Sequence, residues 1–210
     1  MKLAHYYHVL AVPGWEKIVE EHLDALEESG LAVELQRLHL GVIGDPLLRK
    51  EVIAYCKSRI TTVVTTEADE GWEQLTLNAL WFDSVCFDAV LYAHTKGITT
   101  PSPWNNAWRR SMTREMVGGW KQCVEALSRY EIVASYWLTP EEWPDWVEHY
   151  AYPGGNFWWC RSDRIKSLDL PSTLTRHDAE VWIGAGGGVK ARSLHPGEWP
   201  GWKNVGIPQP

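Results

Sequence analysis

Residues 89–97 read AVLYAHTKG, and this stretch decides the expected fold. Its first five residues form a short apolar run, which is typical of a strand buried on both faces of a parallel sheet. A histidine, a threonine and a lysine follow at the carboxyl end of that strand, and three arginines lie downstream within residues 109–114. Ligands of open α/β sheets bind beyond the carboxyl ends of the strands. The stretch therefore predicts a site for an anionic small molecule, with an ordinary solvated loop as the alternative.

The rest of the chain alternates strand and helix patterns. β-branched apolar runs predict strands, and apolar residues at a spacing of about 3.6 predict helices. The expected strands cover residues 7–12, 35–42, 61–66, 89–93, 132–137 and 157–160, and the expected helices 15–29, 47–58, 72–85, 105–130, 162–168 and 176–184. This order predicts a largely parallel α/β sheet flanked by helices. We expect a single domain over residues 1–210, in which residues 186–210 form a tail rich in Gly, Pro and Trp.

Charge, cysteine spacing and hydropathy exclude several classes of protein. The 210 residues carry a formal net charge of −7, which disfavours general binding to nucleic acid or to an anionic membrane surface. The four cysteines form no C-x-x-C pair, so the sequence predicts neither a zinc site nor a disulfide framework. An N-terminus without an apolar signal region, and the lack of any apolar run of about 18 residues, predict a cytoplasmic protein with no transmembrane segment.

Four further features need an interpretation. The chain holds 14 tryptophans, which indicates either a carbohydrate cleft or, for most of them, core packing. Residues 138–153 lack a clear period and predict a long functional loop. The glycine-rich GAGGGVK at residues 184–190 fails the phosphate-loop spacing because a valine precedes the lysine, so a hinge is the better interpretation. Gly118 and Gly119 inside the fourth helix predict a kink or a close contact.

Candidate acid, base and metal residues are few. Asp178 and Glu180 lie two positions apart, so on a helix they diverge by about 200 degrees and only one can point into a cleft. That one is the candidate general base, with solvated surface as the alternative. The eight histidines have no zinc-binding spacing, and His195 is at most a single metal ligand contributed by the tail.

Four stretches of the sequence, in order, resemble a known family. They are YAHTKG at 92–97, WRRSM at 108–112, the segment from His149 to GNFWW at 155–159, and DAEVWIG at 178–184. They resemble small glycosyltransferase-like proteins of bacterial surface-polysaccharide loci, phages and large viruses, over most of residues 6–184. The resemblance implies a GT-A-like fold and a UDP-, GDP- or dTDP-linked sugar donor above the first strands. It also implies an acceptor that is a glycan, a lipid-linked sugar, a protein or a modified DNA base, and a host-cytoplasmic location if the protein is viral.

The resemblance also implies roles for particular residues. Those that would frame the nucleotide are Val12, Pro13, Gly14, Thr66 and Glu67. Those that would meet the diphosphate are His94, Lys96 and Arg109. Those that would shape the sugar and acceptor cleft are His149, Asn156 and Trp158. Glu180 or Asp178 would take the proton from the acceptor hydroxyl.

The sequence departs from the GT-A pattern at one point. Many GT-A enzymes carry Asp-x-Asp after the fourth strand to hold Mn²⁺ or Mg²⁺, and residues 94–96 read His-Thr-Lys instead. Either a metal or fixed cations can stabilise a departing diphosphate. We therefore expect Lys96 and Arg109 to carry part of that work, and the metal to be weakly bound or dispensable.

Two other classes of protein compete with the glycosyltransferase interpretation. A non-catalytic carbohydrate-binding protein would use the tryptophan-rich second half, but such modules are usually β-sandwiches and the alternation of helices and strands disfavours one. An NAD-dependent oxidoreductase shares the alternation, yet residues 12–15 read VPGW where its glycine fingerprint would stand.

Overall fold

The computed structural model describes residues 1–141, 150–171 and 176–196. Its first half repeats a strand followed by a helix. The strands are β1 (Leu3–Ala11), β2 (Leu35–Gly44), β3 (Val63–Ala68) and β4 (Ala89–His94), and the helices are α1 (Trp15–Glu28), the short α2 (Leu31–Glu34), α3 (Pro46–Arg59) and α4 (Gln74–Asp83). A 3-10 turn (Ser84–Cys86) leads from α4 towards β4. This half agrees with the expected order, with boundaries that move by a few residues.

The second half has shorter elements. Its helices are α5 (Pro103–Thr113), α6 (Trp120–Ala126), α7 (Ser162–Lys166) and α8 (Arg176–Val181), and its strands are β5 (Ile132–Ala134), β6 (Trp137–Leu138), β7 (Tyr152–Pro153), β8 (Trp158–Arg161) and β9 (Ala191–Ser193). A π turn (Arg114–Gly118) joins α5 to α6, and a 3-10 turn (Trp182–Gly184) follows α8.

The described strands form a seven-stranded sheet in the order β3-β2-β1-β4-β8-β5-β9, and β6 pairs with β7 separately. β3, β2, β1 and β4 are parallel neighbours, whereas β8 is antiparallel to both β4 and β5. The expectation of a largely parallel α/β sheet flanked by helices is confirmed. The antiparallel β8 has a direct consequence for the site, because the residues that precede it lie at the carboxyl edge of β4.

Helix starts follow the local chemistry of the sequence. Asp45 precedes α3 and its carboxylate accepts hydrogen bonds from the amides of Leu47 (2.8 Å) and Leu48 (3.1 Å), with Pro46 in the first turn. This is the cap that the sequence predicts. α5 begins earlier than the expected residue 105, because Ser102 is its cap and accepts from the amide of Asn105 at 3.0 Å.

The fourth helix of the sequence prediction is interrupted at its glycine pair. The π turn ends at Gly118, and a Cβ added to Gly119 would lie 2.5 Å from the carbonyl oxygen of Glu115. A side chain at position 119 would therefore force the helix apart. The predicted kink or close contact at this pair is confirmed, with α5 and α6 as the two separate helices.

Two apolar layers cover the faces of the sheet. One joins α1, α3, α5 and α6 to the sheet, and the other joins α4, α7 and α8 to its opposite face. Trp158 and Trp159 are among the largest fully buried side chains, and Trp15, Trp108, Trp137 and Trp182 are also buried. Core packing is therefore the role of most described tryptophans. Trp72 differs, because 53% of it is exposed.

The structure adds strand pairing within two segments. The expected loop at residues 138–153 contains pairing partners at both ends, since Leu138 of β6 pairs with Tyr152 of β7. Within the tail, β9 joins the main sheet in parallel with β5. Within the described part of the chain, no helix combines the length and apolar character that crossing a bilayer requires.

Candidate functional site

A cleft lies at the carboxyl ends of β1 and β4. It has a volume of about 150 Å³ and is lined by His8 and Leu10 of β1, by Trp72 and Glu73 before α4, and by residues 94–100. β1 leads through α1 to β2 on one side, whereas β4 has β8 on the other side. The two strands thus flank the point where the direction of the strand order reverses, which is where open α/β sheets bind ligands.

The turn after β4 is held against β1 by hydrogen bonds. The amide of Thr95 donates to the carbonyl of His8 at 3.0 Å, and the Thr95 hydroxyl accepts from the amide of Leu10 at 3.1 Å. The amide of Lys96 donates to the carbonyl of His94 at 2.7 Å, and Gly97 takes a positive φ of 83°. The predicted anion-site stretch is therefore a fixed turn that lines the cleft.

Lys96 lies in this turn together with an aromatic side chain. Its ammonium nitrogen is 3.9 Å from the centroid of the Trp108 ring, a distance at which the face of the ring attracts the cation. Lys96 also lines the cleft, so a charged residue with a defined side-chain position lies at its wall.

Arg109 lies behind the same turn. Its guanidinium donates to the carbonyl of Lys96 (3.3 Å), to Asn106 Oδ1 (2.8 Å) and to Glu21 Oε2 (2.7 Å). It lines a separate, larger groove of about 590 Å³ between α1 and α5 instead of the cleft. The direct contact of Arg109 with a diphosphate that the sequence predicts does not fit this position, because its donors already hold Glu21 and the backbone of the turn.

A buried carboxylate forms the inner wall of the cleft. Glu73 Oε2 accepts hydrogen bonds from the Tyr92 hydroxyl (2.7 Å) and from Asn156 Nδ2 (2.6 Å), and its Oε1 lies 3.2 Å from His94 Nδ1. The side chain of Glu73 is only 8% exposed. Sequence reasoning missed Glu73, since no local motif marks an acidic residue among the several in residues 67–73.

His8 adds a neutral ring to this wall. Its Nδ1 is 2.8 Å from the hydroxyl of Thr76 in α4. Burial lowers the pKa of His8 to about 4, an effect that the nearby Glu73 opposes and His94 strengthens. His8 is therefore uncharged at neutral pH, and it was also missed by the sequence reasoning.

Asn156 and its neighbour form a strained turn above the cluster. Asn156 has a φ of +55° and Gly155 a φ of +83°. A Cβ added to Gly155 would lie 2.6 Å from the sulfur of Met112 and 2.9 Å from the Trp108 ring, so only glycine fits. The Gly155 carbonyl accepts from His94 Nε2 at 3.1 Å. The structure thus places Asn156 and His94 on opposite oxygens of Glu73.

Trp158 is fully buried and stacks on Tyr92, with ring centroids 5.1 Å apart. Its indole N–H donates to Asn156 Oδ1 at 2.8 Å. It offers no exposed face for a sugar, so its link to the cleft is the orientation of Asn156. The remaining predicted member of this group, His149, lies outside the described residues.

The candidate bases lie on α8. Asp178 and Glu180 are both partly buried. Burial raises the pKa of Tyr92 well above its ordinary value, and the charges of Glu73 and Glu180 raise it further. Burial also raises the pKa of Tyr152, and Glu180 adds to that shift. Glu180 is therefore close enough to Tyr92 for its charge to act on the inner wall of the cleft.

The predicted nucleotide-framing residues lie apart from the cleft lining. Val12 and Gly14 belong to the turn after β1, in which the amide of Trp15 donates to the Val12 carbonyl at 3.1 Å. Thr66 and Glu67 lie within β3, at the edge of the sheet, and the Thr66 hydroxyl is 2.8 Å from His39 Nε2. Together with Pro13, they remain predictions for the part of the nucleotide that extends beyond the cleft.

His195 lies at the far end of the same edge of the sheet. Its Nε2 is 3.1 Å from Glu115 Oε1, and its ring stacks on Tyr136. The described residues contain no group of three or more His, Cys, Asp or Glu side chains suited to a metal ion. At the cleft, the described carboxylate is Glu73, whose oxygens face three protein groups. The described residues of the 94–96 turn therefore do not fit Mn²⁺ or Mg²⁺, which prefer oxygen ligands.

Comparisons with known proteins agree with the fold. A family model described as "Domain of unknown function (DUF8361)" matches residues 10–201. The chain belongs to this family. No curated protein matches the DUF8361 chain.

Solved structures resemble the DUF8361 chain at low sequence identity. One is 4-diphosphocytidyl-2C-methyl-D-erythritol synthase from Anaerococcus prevotii DSM 20548, with a TM-score of 0.53 and 11% identity over 92% of this chain and 87% of that one. Another is HddC from Yersinia pseudotuberculosis, with a TM-score of 0.50 and 11% identity over 92% and 90% of the two chains. With the strand order, these likenesses support the GT-A-like fold that the sequence predicts.

Proposed function

We propose that the protein is a glycosyltransferase that moves a sugar from a nucleotide-sugar donor to an acceptor hydroxyl. The observation that carries the proposal is the cleft between β1 and β4, with the His94–Thr95–Lys96 turn as one wall. A GT-A-like sheet offers the carboxyl ends of its strands to such donors, and a cation fixed beside the cleft matches the charge of a diphosphate. The fold alone does not select the donor, so the residues carry the argument.

In this proposal the diphosphate lies against the turn after β4. Lys96 is the direct cation, and the Trp108 ring beneath its ammonium group limits the side chain's freedom. Arg109 supports the turn from behind through the Lys96 carbonyl. A positioned positive charge stabilises the negative charge that develops on the leaving diphosphate as the glycosidic bond breaks. The half-exposed Trp72 at the cleft gives the donor an aromatic face.

The acceptor side of the proposal lies at α8 and the Gly155–Asn156 turn. Glu180 takes the proton from the acceptor hydroxyl in an inverting displacement, and Asp178 is the alternative base. Glu180 is favoured because its charge acts on Tyr92, a residue of β4 that donates a hydrogen bond to Glu73 in the wall of the cleft.

Thermal-shift and calorimetric titrations with UDP-glucose, GDP-mannose, dTDP-glucose and NAD test the donor class. We expect one nucleotide sugar to raise the melting temperature, and NAD to have no effect. Slow release of the nucleoside diphosphate from that sugar, without added acceptor, would then support sugar transfer. Pyrophosphate release from a nucleoside triphosphate and a sugar 1-phosphate would instead indicate nucleotidyl transfer. Binding of NAD alone would overturn the proposal.

A further inference from the structure

Glu73 joins three segments that are distant in sequence. It directly precedes α4, and it contacts Tyr92 and His94 of β4 and Asn156 before β8. All four side chains are buried, and Glu73 and His94 also line the cleft. A buried carboxylate at such a junction needs compensation, since an unpaired buried charge is strongly destabilising.

The orientation of the Asn156 amide follows from its neighbours. The Trp158 indole nitrogen is a donor only, so the atom it contacts at 2.8 Å must be the Asn156 oxygen. The Asn156 amide nitrogen therefore faces Glu73 and donates to it. The Tyr92 hydroxyl donates to the same carboxylate oxygen. Glu73 thus receives two hydrogen bonds at Oε2, which is the pattern of an ionised carboxylate.

The ring of His94 has acceptors on both sides. Its Nε2 contacts the carbonyl oxygen of Gly155 at 3.1 Å, so this nitrogen carries a proton. Its Nδ1 lies 3.2 Å from Glu73 Oε1, where a lone pair on nitrogen would face the negative oxygen. A proton on Nδ1 turns that repulsion into an ion pair. The neutral ring has only one N–H, so beside an ionised Glu73 it cannot satisfy both contacts.

We infer that Glu73 is a positioning residue, which holds His94 as a doubly protonated imidazolium at the diphosphate end of the cleft. The functional part of this inference rests on the proposed nucleotide-sugar function. His94 stands where the GT-A pattern has metal-binding carboxylates, so the ion pair, which has no net charge, places its positive end there. Both N–H groups of His94 are engaged by the protein, so it acts on the donor through its charge, whereas Lys96 is the side chain that contacts it.

The charged groups around the pair are consistent with this assignment. Lys96 follows on the same turn, His8 of β1 is neutral, and the Glu180 charge approaches from α8 on the Tyr92 side. Glu73 remains the nearest described carboxylate to the ring of His94, and its position before α4 is fixed by Tyr92 and Asn156.

Nuclear magnetic resonance tests the protonation state without any ligand. Long-range ¹H–¹⁵N spectra of protein with ¹⁵N-labelled histidine, assigned by comparison with His94→Gln, report whether each ring nitrogen carries a proton. At pH 7 we expect both His94 nitrogens to be protonated and those of His8 to indicate a neutral ring. A neutral His94 ring in the wild-type protein would overturn the inference, whatever the donor is.

The variant Glu73→Gln separates charge from packing. A Gln oxygen can still accept from Tyr92 and Asn156, while its amide group donates to His94 Nδ1 and thereby favours the neutral ring. We expect unchanged circular dichroism and one protonated nitrogen on His94. Glu51→Gln on the exposed face of α3 is the matched control and should change neither.

A double-mutant cycle that combines Glu73→Gln with His94→Gln gives a second readout, the affinity for the donor. A merely structural role of Glu73 would not couple the two changes. If Glu73 and His94 form an ion pair, His94→Gln alone leaves an uncompensated carboxylate beside the diphosphate, so the double variant should bind the donor more tightly than His94→Gln alone. Additive losses of affinity would overturn the assignment. If no nucleotide sugar binds the wild-type protein, the proposed function fails. The protonation of the His94 ring still tests the inferred ion pair with Glu73.

Discussion

Histidines occupy two regions of this sheet, and their partners differ. In the body of β1 and β2, His5 lies 3.1 Å from the Leu91 carbonyl and 2.7 Å from His22, and His39 contacts the Thr66 hydroxyl. Burial lowers the pKa of His5 and of His39 to about 4. At the carboxyl edge, His94 and His195 face the carboxylates of Glu73 and Glu115. Histidines with uncharged hydrogen-bond partners are part of the core, even at His39, where the Asp83 carboxylate lies 3.8 Å away, whereas a direct carboxylate contact suits a charged ring.

The largest expected effect is a loss in the free energy of unfolding at acid pH, caused by the buried histidines of the first region. Burial lowers the pKa values of His5 and His8 to about 4, and it also lowers the pKa of His22 well below its ordinary value. Between pH 6.5 and 4 the unfolded chain binds protons that the folded chain refuses, so the free energy of unfolding falls as pH falls. The loss is on the order of 3 kcal/mol for each fully buried histidine. Urea denaturation at pH 8, 6.5, 5.5 and 4.5 measures it.

A variant with one titrating histidine fewer is the control for this pH series. His39→Gln can keep a contact with Thr66 and removes one titrating ring, so it should reduce the fall in stability across that range. A free energy of unfolding that stays constant from pH 8 to 4.5 would contradict the assignment of neutral buried rings.

A change at the edge should affect catalysis more than stability. Glu180→Gln removes the proposed base but keeps the size of the side chain. We expect sugar transfer to fall by about a thousandfold, within the range that general-base catalysis contributes, while the donor still binds. Turnover and calorimetric titration of the same preparation measure the two effects. Retained transfer in Glu180→Gln, with loss in Asp178→Asn, would move the role to Asp178.

Lys96→Met removes the proposed diphosphate cation and keeps an apolar stem over Trp108. The dissociation constant of the donor should rise by about 10- to 100-fold, as expected when one partner of a charged contact is removed. The melting temperature should change little, because Lys96 lies at the cleft and not in the core. The exposed Lys50→Met on α3 is the matched control. Equal donor affinity in both variants would reject Lys96 as a ligand.

The variant His195→Phe compares the two histidine–carboxylate pairs at the carboxyl edge, His195 with Glu115 and His94 with Glu73. Phenylalanine keeps the stack on Tyr136 but loses the 3.1 Å contact with Glu115. Because this pair is more exposed than Glu73 and His94, we expect a loss of only about 1 kcal/mol in the free energy of unfolding. A loss several times larger in chemical denaturation would indicate that this pair is as important to the fold as the inner one.

The smallest expected effect is that of metal removal. With fixed cations at the turn, EDTA should leave turnover unchanged. The decisive contrary result would be turnover that EDTA abolishes and Mn²⁺ fully restores, combined with an active Lys96→Ala variant. Those two results would assign the stabilisation of the leaving diphosphate to a metal ion instead of to the protein's cations.

The sequence was sufficient where local patterns determine the structure. The apolar runs of β1 and β4, the Asp45–Pro46 start of α3 and the Gly118–Gly119 interruption all follow from neighbouring residues, and the structure agrees. The polar residues after β4 also predict one wall of the cleft, whereas the end of β1 beside it follows from the strand order in the structure.

What the sequence could not predict depends on contacts between distant residues. Glu73 acquires its role from Tyr92, 19 positions away, and from Asn156, 83 positions away. Arg109 is turned towards Glu21, 88 positions earlier, and this pairing moves it out of the cleft. β9 reads ARS, which has no strand pattern of its own, and it forms only because β5 offers a free edge.

The pairing of β9 has a practical consequence for handling the protein. Ile132, Val133 and Ala134 of β5 are completely buried, and their outer neighbour is supplied by Ala191–Ser193. A chain shortened before Ala191 would leave the hydrogen-bonding groups of β5 open along one side. Unprotected strands of this kind add strands from other molecules. Truncation there should therefore produce self-association, measurable by light scattering, even though every residue of the cleft is retained.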